Sequence, residues 1–300
     1  MGPPLKIDEN AFSVLKGKTV LITGASSGIG LECADYFYKF GANVAYVGGR
    51  KRPPTEVPLD SPRTLLRNVD VSSFEQVDGA FQAVIEKFGR VDIVVANAGV
   101  AEPQGQMFNL QKDAAGKLQP PDLRVIDIDL KGTVYTVALG IHYMTQGGSI
   151  IMMTSLAGFG GVQQMPNYSG SKHAATGLLR SLTEPCRAKD IALSVVAPHI
   201  TYTPGTFPDQ YKPGAAAFKQ IYDALLPKGM RISQAITCAQ ATAYLAAGGL
   251  DVAGQALVIE ADEINEIEKD LVDTRPDWFA AKMSSRHAAS KAYVAGKPAS

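Results

Sequence analysis

The chain has 300 residues, 46% of them apolar and 19% charged, with 29 Lys plus Arg balanced by 29 Asp plus Glu. That length and mix describe an ordinary globular protein with room for a sizeable core in one large domain or two small ones. A formal charge of zero offers no electrostatic footprint for DNA, RNA or an acidic membrane, and no run approaches the roughly 18 apolar residues that span a bilayer.

Cys33, Cys186 and Cys238 lie far apart, form no CxxC pair and have no His at zinc-ligand spacing. Neither a disulfide framework nor a structural metal is therefore expected. The opening MGPPLKIDEN has no apolar h-region, and Lys6 stands where a myristoylation signal needs Ser or Thr. Asn167-Tyr168-Ser169 matches the glycosylation sequon, but cysteine usage and the missing signal make cytoplasmic residence the expectation.

In chain order, residues 1–16 read as a polar leader, and KTVLIT (18–23) as the first strand. A helix over about 28–40 leads to the strands NVAYV (43–47) and RTLLRNV (63–69). In the helix over 74–88, Phe74, Val77, Phe81, Val84, Ile85 and Phe88 recur at helical spacing and form one buried stripe. VDIVVA (91–96), a helix over 122–145, GSIIMMT (148–154), a helix over 168–188 and IALSVVA (191–197) follow. Residues 199–230, with TPGTFPDQYKPG, hold many turn-formers and read as a mobile lid. A helix over 232–247 and the strand QALVIE (255–260) complete the pattern, and the Ala-, Ser- and Lys-rich extension 261–300 is expected to be partly disordered.

Several strands are apolar without alternation, as parallel strands buried on both faces are. Alternating βα units predict an α/β fold, a single-domain, Rossmann-like, doubly wound parallel sheet of about seven strands flanked by helices. No break in composition divides residues 17–260.

Two stretches carry chemistry. LITGASSGIG runs from the first strand into a helix with Gly24, Gly28 and Gly30 spaced GxxxGxG. Glycines let a backbone turn tightly and approach a pyrophosphate, and a helix N-terminus supplies free N–H groups and a positive dipole end. In NYSGSK, Tyr168 and Lys172 are four residues apart and would share one helix face. Taken alone, they are either a surface pair or a device that favours a phenolate.

TGASSGIG (23–30), NVDVSS (68–73), ANAG (96–99), TSLAG (154–158) and YSGSK (168–172), in this order and spacing, resemble the short-chain dehydrogenase/reductase family over about residues 16–260. Ser155 precedes Tyr168 by 13 positions and Lys172 follows it by four, as in the family. The resemblance implies a nicotinamide dinucleotide held by Gly24, Ser26, Ser27, Gly28, Ile29 and Gly30 at its phosphates. It places Asp70 and Val71 at the adenine, and Asn97, Ala98 and Gly99 beside the adenosine ribose. Pro198, Thr201 and Thr203 fall near the nicotinamide, together with Tyr168 and Lys172. It also implies that Ser155 orients a substrate carbonyl, Tyr168 gives or takes its proton, and Lys172 tunes Tyr168 and holds the nicotinamide ribose. A phenol ionises near pH 10 when unassisted, and a neighbouring ammonium favours its ionised form.

NAD and NADP differ by a charge read at the end of the second strand. After NVAYV (43–47) come Gly48, Gly49, Arg50, Lys51 and Arg52, with no acid to accept from a ribose 2′-OH. Arg50 would fork onto a 2′-phosphate, which makes NADP the expected cofactor and NAD the alternative; the other reading of Arg50 is a solvated basic loop.

Two residues depart from the family's pattern. Asp129, in VIDIDLKG, replaces an Asn whose backbone carbonyl holds a water in the family's proton relay. It either alters how the Tyr168–Lys172 pair titrates or is a structural, hydrogen-bonded Asp; it is kept as a fourth catalytic candidate. His199 replaces the glycine after Pro198, as a lining of the nicotinamide or substrate pocket or as a plain loop residue. No chemistry is assigned to His142, His173 or His287.

The expected activity is hydride transfer between NADP and a secondary alcohol or ketone. Met107, Phe108, Leu156, Phe159, Val162, Met165, Phe207 and Tyr211 lie in the loops beyond the strand ends and imply a bulky hydrophobic substrate, unless they pack on one another. The alternatives are imine reduction, a redox-neutral isomerisation, or a nucleotide-sensing binding module. No nucleic-acid or membrane partner is expected, and the family's habit implies a homodimer or homotetramer through the helices near 122–145 and 168–188.

Overall fold

The computed structural model describes residues 3–49, 54–144 and 147–274. Arg50 and residues 275–300 lie outside the described residues, so the expectations placed on them carry no structural account.

The strands are β1 (Thr19–Thr23), β2 (Asn43–Gly48), β3 (Thr64–Asn68), β4 (Ile93–Ala96), β5 (Gly148–Met153), β6 (Ile191–Pro198), β7 (Thr201–Tyr202), β8 (Ser233–Gln234), β9 (Ala256–Glu260) and β10 (Glu263–Glu266). The helices are α1 (Gly28–Lys39), α2 (Phe74–Phe88), α3 (Gly132–Tyr143), α4 (Pro166–Arg187), α5 (Ala215–Leu225), α6 (Ala235–Gly248) and α7 (Glu268–Asp273). Eight strands form the main sheet in the order β10-β9-β6-β5-β4-β1-β2-β3. All neighbours in it run parallel except β10, which turns back antiparallel on β9, so the expected parallel set is present with one edge strand added.

The unbroken apolar runs have a simple cause: the strands inside the sheet bury both faces. In β1, Val20 and Ile22 enter the core shared with α1 and α6, while Leu21 enters the core shared with α2, α3 and α4. In β5, Ile151 faces the first core, and Ile150 and Met152 face the second. Burial on two sides demands helices on two sides, which right-handed crossovers provide.

The α2 stripe forms as its spacing predicts, except that Phe74 in the first turn is 43% exposed and meets Tyr135 of α3 edge-on at 5.4 Å. Ser73 caps this helix by accepting from the Gln76 amide at 3.3 Å, and Gly89 ends it at φ +78, a left-handed conformation that favours glycine.

Four stretches differ from their sequence reading. The N-terminal segment is polar only in part: residues 9–15 form a 3-10 turn in which Phe12 and Leu15 are each 1% exposed. Phe12 meets Tyr36 and Phe40 edge-on at 6.1 and 5.2 Å, and the Leu5 amide donates to the Ile264 carbonyl at 2.7 Å. The segment 199–230 carries regular structure, because β7 pairs with β8 and Tyr202 gathers Phe207, Tyr211 and Phe218 at centroid distances of 5.0–5.8 Å. Past residue 260 the chain continues into β10 and α7, held by Arg180, which grips the buried Glu268 through two bonds of 2.6 and 2.9 Å. Finally, the helix expected from 122 opens with a wider π turn over Ile126–Lys131 before α3. Such turns recur at functional sites, and this one contains Asp129.

Among the described residues no helix is long and apolar enough to cross a membrane, and no cluster of His, Cys, Asp and Glu could hold a metal. All three cysteines are free and buried at 0–1% exposure. Burial pushes the Cys33 thiol up to about 12 and raises Cys238 as well. The native protein is therefore expected to react with no appreciable DTNB at mildly alkaline pH. After unfolding in guanidinium, absorbance should report all three thiols.

Candidate active site

β1 feeds the glycine-rich turn directly into α1. Gly24 and Gly28 adopt φ +70 and φ +57, the left-handed region that side chains disfavour. Space also matters: a Cβ on Gly24 would lie 2.7 Å from Asn97 Nδ2 and 2.8 Å from Ala98 Cα. One on Gly30 would collide with the same amide and with the Gly24 carbonyl. The N-cap Ser27 makes no side-chain capping bond, so its hydroxyl leaves the first amides of α1 to other acceptors. A cradle without Cβ atoms at a positive helix end fits the phosphates of a dinucleotide.

Across the turn stand two further candidates. A Cβ on Gly28 would meet Thr203 Cβ at 3.5 Å, so Thr203 borders the phosphate turn. Asn97 holds the turn from the β4 side: its side-chain amide donates to the Thr23 carbonyl at 2.9 Å, and its backbone amide donates to Thr23 Oγ1 at 3.0 Å. The Ala98 amide adds a third bond to Thr23 Oγ1 at 3.2 Å. Asn97 and Ala98 thus latch the ends of β1 and β4, where the strand order changes direction.

Asp70 lies exposed past β3. Its carboxylate accepts from the Ser72 hydroxyl at 2.7 Å and the Ser72 amide at 2.9 Å. These two bonds, aided by Lys131, hold the carboxyl below its ordinary range. Val71 is buried against Gly132, where a Cβ would come within 2.7 Å of Val71 Cγ2.

The second group of residues gathers around α4. Tyr168 and Lys172 share one face of the helix, with Lys172 Nζ 5.4 Å from the Tyr168 ring centroid. Nζ also stands 3.0 Å from Asp129 Oδ2 and donates to the Met153 carbonyl at 3.4 Å. The Lys172 and Asp129 side chains are 7% and 0% exposed. Burial drives the Lys172 ammonium down, but the charges of Asp129 and Tyr168 outweigh it and leave Lys172 above its ordinary range. Asp129 is fixed in turn, since its Oδ1 accepts from the Val100 amide at 2.8 Å and its carbonyl accepts from Thr133 Oγ1 at 2.6 Å. Gly99 completes the enclosure: a Cβ there would lie 2.9 Å from Asp129 Oδ2 and 3.3 Å from Lys172 Nζ.

Ser155 ends the β5 loop and caps a 3-10 turn, accepting from the Ala157 amide and donating to the Pro198 carbonyl, both at 3.2 Å. This turn is fastened to α4 at the lysine itself. Thr154 Oγ1 donates to the Lys172 carbonyl at 2.9 Å, and a Cβ on Gly158 would press to 2.7 Å from that oxygen. The strand end bearing Ser155, the helix bearing Tyr168 and Lys172, and the turn bearing Asp129 therefore form one unit.

A family model for the short chain dehydrogenase matches residues 18–210, which span this whole arrangement. The chain belongs to the short-chain dehydrogenase/reductase family. It is similar to short-chain dehydrogenase/reductase prx4 of Penicillium rubens, with 33% identity over 92% of this chain and 84% of that protein. A mouse 15-hydroxyprostaglandin dehydrogenase that uses NAD+ is 33% identical over 63% of this chain and 70% of its own length. Among solved structures, a 3-ketoacyl-(acyl-carrier-protein) reductase from Brucella melitensis complexed with NADH superposes with a TM-score of 0.67 at 25% identity, covering 82% of this chain and 98% of that one. Membership makes this protein an NAD(P)-dependent oxidoreductase.

Within this dehydrogenase/reductase fold, not every candidate converges. Thr201 is 3% exposed and its hydroxyl meets Cys238 Sγ at 3.9 Å in the core. The His199 amide extends the pairing of β6 with β9 by donating to the Ile259 carbonyl at 2.8 Å, while its Nδ1 faces Glu260 Oε1 at 3.2 Å. One residue escaped the sequence reading: Glu102, 3% exposed, accepts from the Tyr168 amide at 2.8 Å. No motif or spacing in VAEPQG marks it, because the contact joins residues 66 positions apart.

The crowding at Gly30 yields a direct check. Gly30→Ala is expected to lose about 1–3 kcal/mol in a denaturant melt. Its nucleotide affinity by calorimetry should fall as well, since the added methyl displaces both Asn97 and the phosphate turn.

Proposed function

We propose that this protein is an NADP-dependent oxidoreductase that interconverts a secondary alcohol and a ketone on a bulky apolar substrate, with Tyr168 as the general acid–base. The observation that carries this reading is the buried ammonium of Lys172, 5.4 Å from the Tyr168 ring and tied to the turn that bears Ser155. A fixed positive charge beside a phenol favours the phenolate that accepts a proton from an alcohol. Ser155 offers a hydroxyl to orient the substrate oxygen, and Lys172 donates toward the Met153 carbonyl while facing Tyr168. When bound, the nicotinamide supplies or takes the hydride.

Asp129 sets the charge of the site. Its carboxylate holds the lysine protonated, so that the proton needed opposite Tyr168 stays in place to higher pH than burial alone would allow. NADP over NAD is supported by the absence of any acid at Gly48 and Gly49 and by the cations Arg50, Lys51 and Arg52 that follow. The apolar substrate is supported by Met107 and Phe108, 48% and 80% exposed on the loop after β4, and by Val162 at 40%. Phe207 and Tyr211, by contrast, are turned onto Tyr202.

Tyr168→Phe should abolish turnover and leave nucleotide binding within about threefold; a fully active variant would sink the mechanism. Asp129→Asn removes the larger of the two charges that raise the Lys172 ammonium, leaving Tyr168 alone against the burial that lowers it. The pH above which activity falls is therefore expected to move down in this variant, read from kcat/KM across pH. In thermal-shift measurements at equal concentrations, NADPH should raise Tm more than NADH, by mass action on the folded state. A larger shift with NADH would overturn the cofactor assignment.

A further inference from the structure

We propose that Glu102 is a positioning residue that holds Tyr168 in register with Lys172 by accepting the tyrosine's backbone N–H. The inference rests on the reading of Tyr168 as the acid–base group and concerns how that group is kept in place.

The need arises at the start of α4. The first amides of a helix have no acceptor within it, and they are usually served by a polar N-cap side chain. Here the N-cap is Met165, which makes no such bond, and Pro166 follows it with no N–H at all. The Ser169 amide reaches back to the Met165 carbonyl at 3.0 Å, but the Tyr168 amide has no acceptor inside the helix. Glu102 Oε2 supplies one at 2.8 Å from the loop after β4. A cap in trans thus does the work that the local sequence leaves undone.

The carboxylate is held for this contact. It is buried, and among the described residues no cation forms an ion pair with it. A buried anion without a cation is costly unless its oxygens are hydrogen-bonded, and the positive end of a helix is one of the few neutral environments that suit it. Glu102 Oε1 accepts from Gln106 Nε2 at 2.8 Å. The Gln106 side chain is itself braced on the backbone of Asp122, accepting from its amide at 2.8 Å and donating to its carbonyl at 3.1 Å. The Gly105 amide, which donates to the Gln164 carbonyl at 3.0 Å, joins the same loop to the turn before α4.

The consequence is mechanical. Lys172 lies one turn deeper and is fixed independently by Asp129 and Met153. Tyr168 lies in the first turn, where helices fray most readily. Unless that turn is pinned, the phenol moves relative to a lysine that does not, and small misplacements of a catalytic group are costly in rate. Glu102 also connects the phenol's position to the loop carrying Met107 and Phe108.

The test compares Glu102→Ala, Glu102→Gln and Glu102→Asp with the wild type and Tyr168→Phe, using NADPH-linked reduction of phenanthrenequinone, a flat apolar dicarbonyl, and normalising to folded protein by Tm and nucleotide titration. Glu102→Ala is expected to lower kcat roughly 10- to 100-fold. KM and nucleotide affinity should stay within about threefold. Glu102→Gln retains one acceptor oxygen for the two donors, the Tyr168 amide and Gln106 Nε2, and should recover kcat in part, to a value between the alanine variant and wild type, with the Tyr168 amide again protected from hydrogen exchange. If the alanine variant does not fold, Glu102→Asp takes its place, because its shorter arm no longer reaches the amide and kcat should fall likewise. Full kcat in the alanine or aspartate variant, even with a lowered Tm, would overturn the proposal, as would a glutamine variant as impaired as the alanine one. Wild-type turnover that survives in Tyr168→Phe would instead show that the parent reading had failed. Should wild type leave the quinone unreduced, the substrate assignment fails and amide exchange at Tyr168 decides: protection unchanged in Glu102→Ala overturns the proposal, and protection lost in Glu102→Ala but kept in Glu102→Gln supports it.

Discussion

Two opposite charges, the Lys172 ammonium and the Asp129 carboxylate, sit 3.0 Å apart and almost wholly out of water. Bringing two ions into such a place costs several kcal/mol each, so the surroundings have to be arranged for them. Val100 donates its amide to the carboxylate, Met153 offers its carbonyl to the ammonium, and Gly99 leaves the space that a side chain would take. These contacts come from the ends of β4 and β5, from the π turn before α3 and from the second turn of α4. One ion pair therefore fixes how four segments meet at the carboxyl edge of the sheet. In the proposed reaction, its residual field is what Tyr168 feels.

A second constraint acts a few residues away. Where β1 and β4 lie side by side, the chain leaves the sheet in opposite directions and opens a crevice, the usual place for a ligand in an open α/β sheet. The crevice stays open only because Thr23, Asn97 and Ala98 are laced together and because Gly24 and Gly30 carry no Cβ to fill it. Asn97 thus has a structural use beside the one the family resemblance implies. The phosphate cradle and the buried ion pair share the short run Asn97–Gly99, so nucleotide site and proton-transfer site are mechanically joined.

The periphery follows a different logic. Phe12 and Leu15 cover one end of the first core, β10 and α7 cover the edge beyond β9, and Arg180 ties α7 to the outer face of α4. Tyr202 organises the segment that a count of turn-formers alone reads as a lid. These parts depend on aromatic and charged contacts between residues far apart in the chain, which periodicity does not register.

The seven parallel strands of the main sheet, the five helices α1, α2, α3, α4 and α6 and the glycine turn were legible in the sequence because their signals are local. Apolar runs mark strands buried twice, a 3.6-residue stripe marks α2, and glycine spacing marks a backbone that turns and leaves room. Tyr168 and Lys172 were legible as a pair for the same reason, as four residues along a helix share a face. The sequence could name Asp129 but could not say which way its carboxylate pointed, since that depends on a π turn packing against α4. It gave no hint of Glu102, whose contact with the Tyr168 amide joins residues 66 positions apart. Helical and extended periods decide which side chains share a face, and those the sequence determined by itself. Which faces meet, and so which charge stands against which phenol, was decided only when the sheet order brought distant strand ends to one edge.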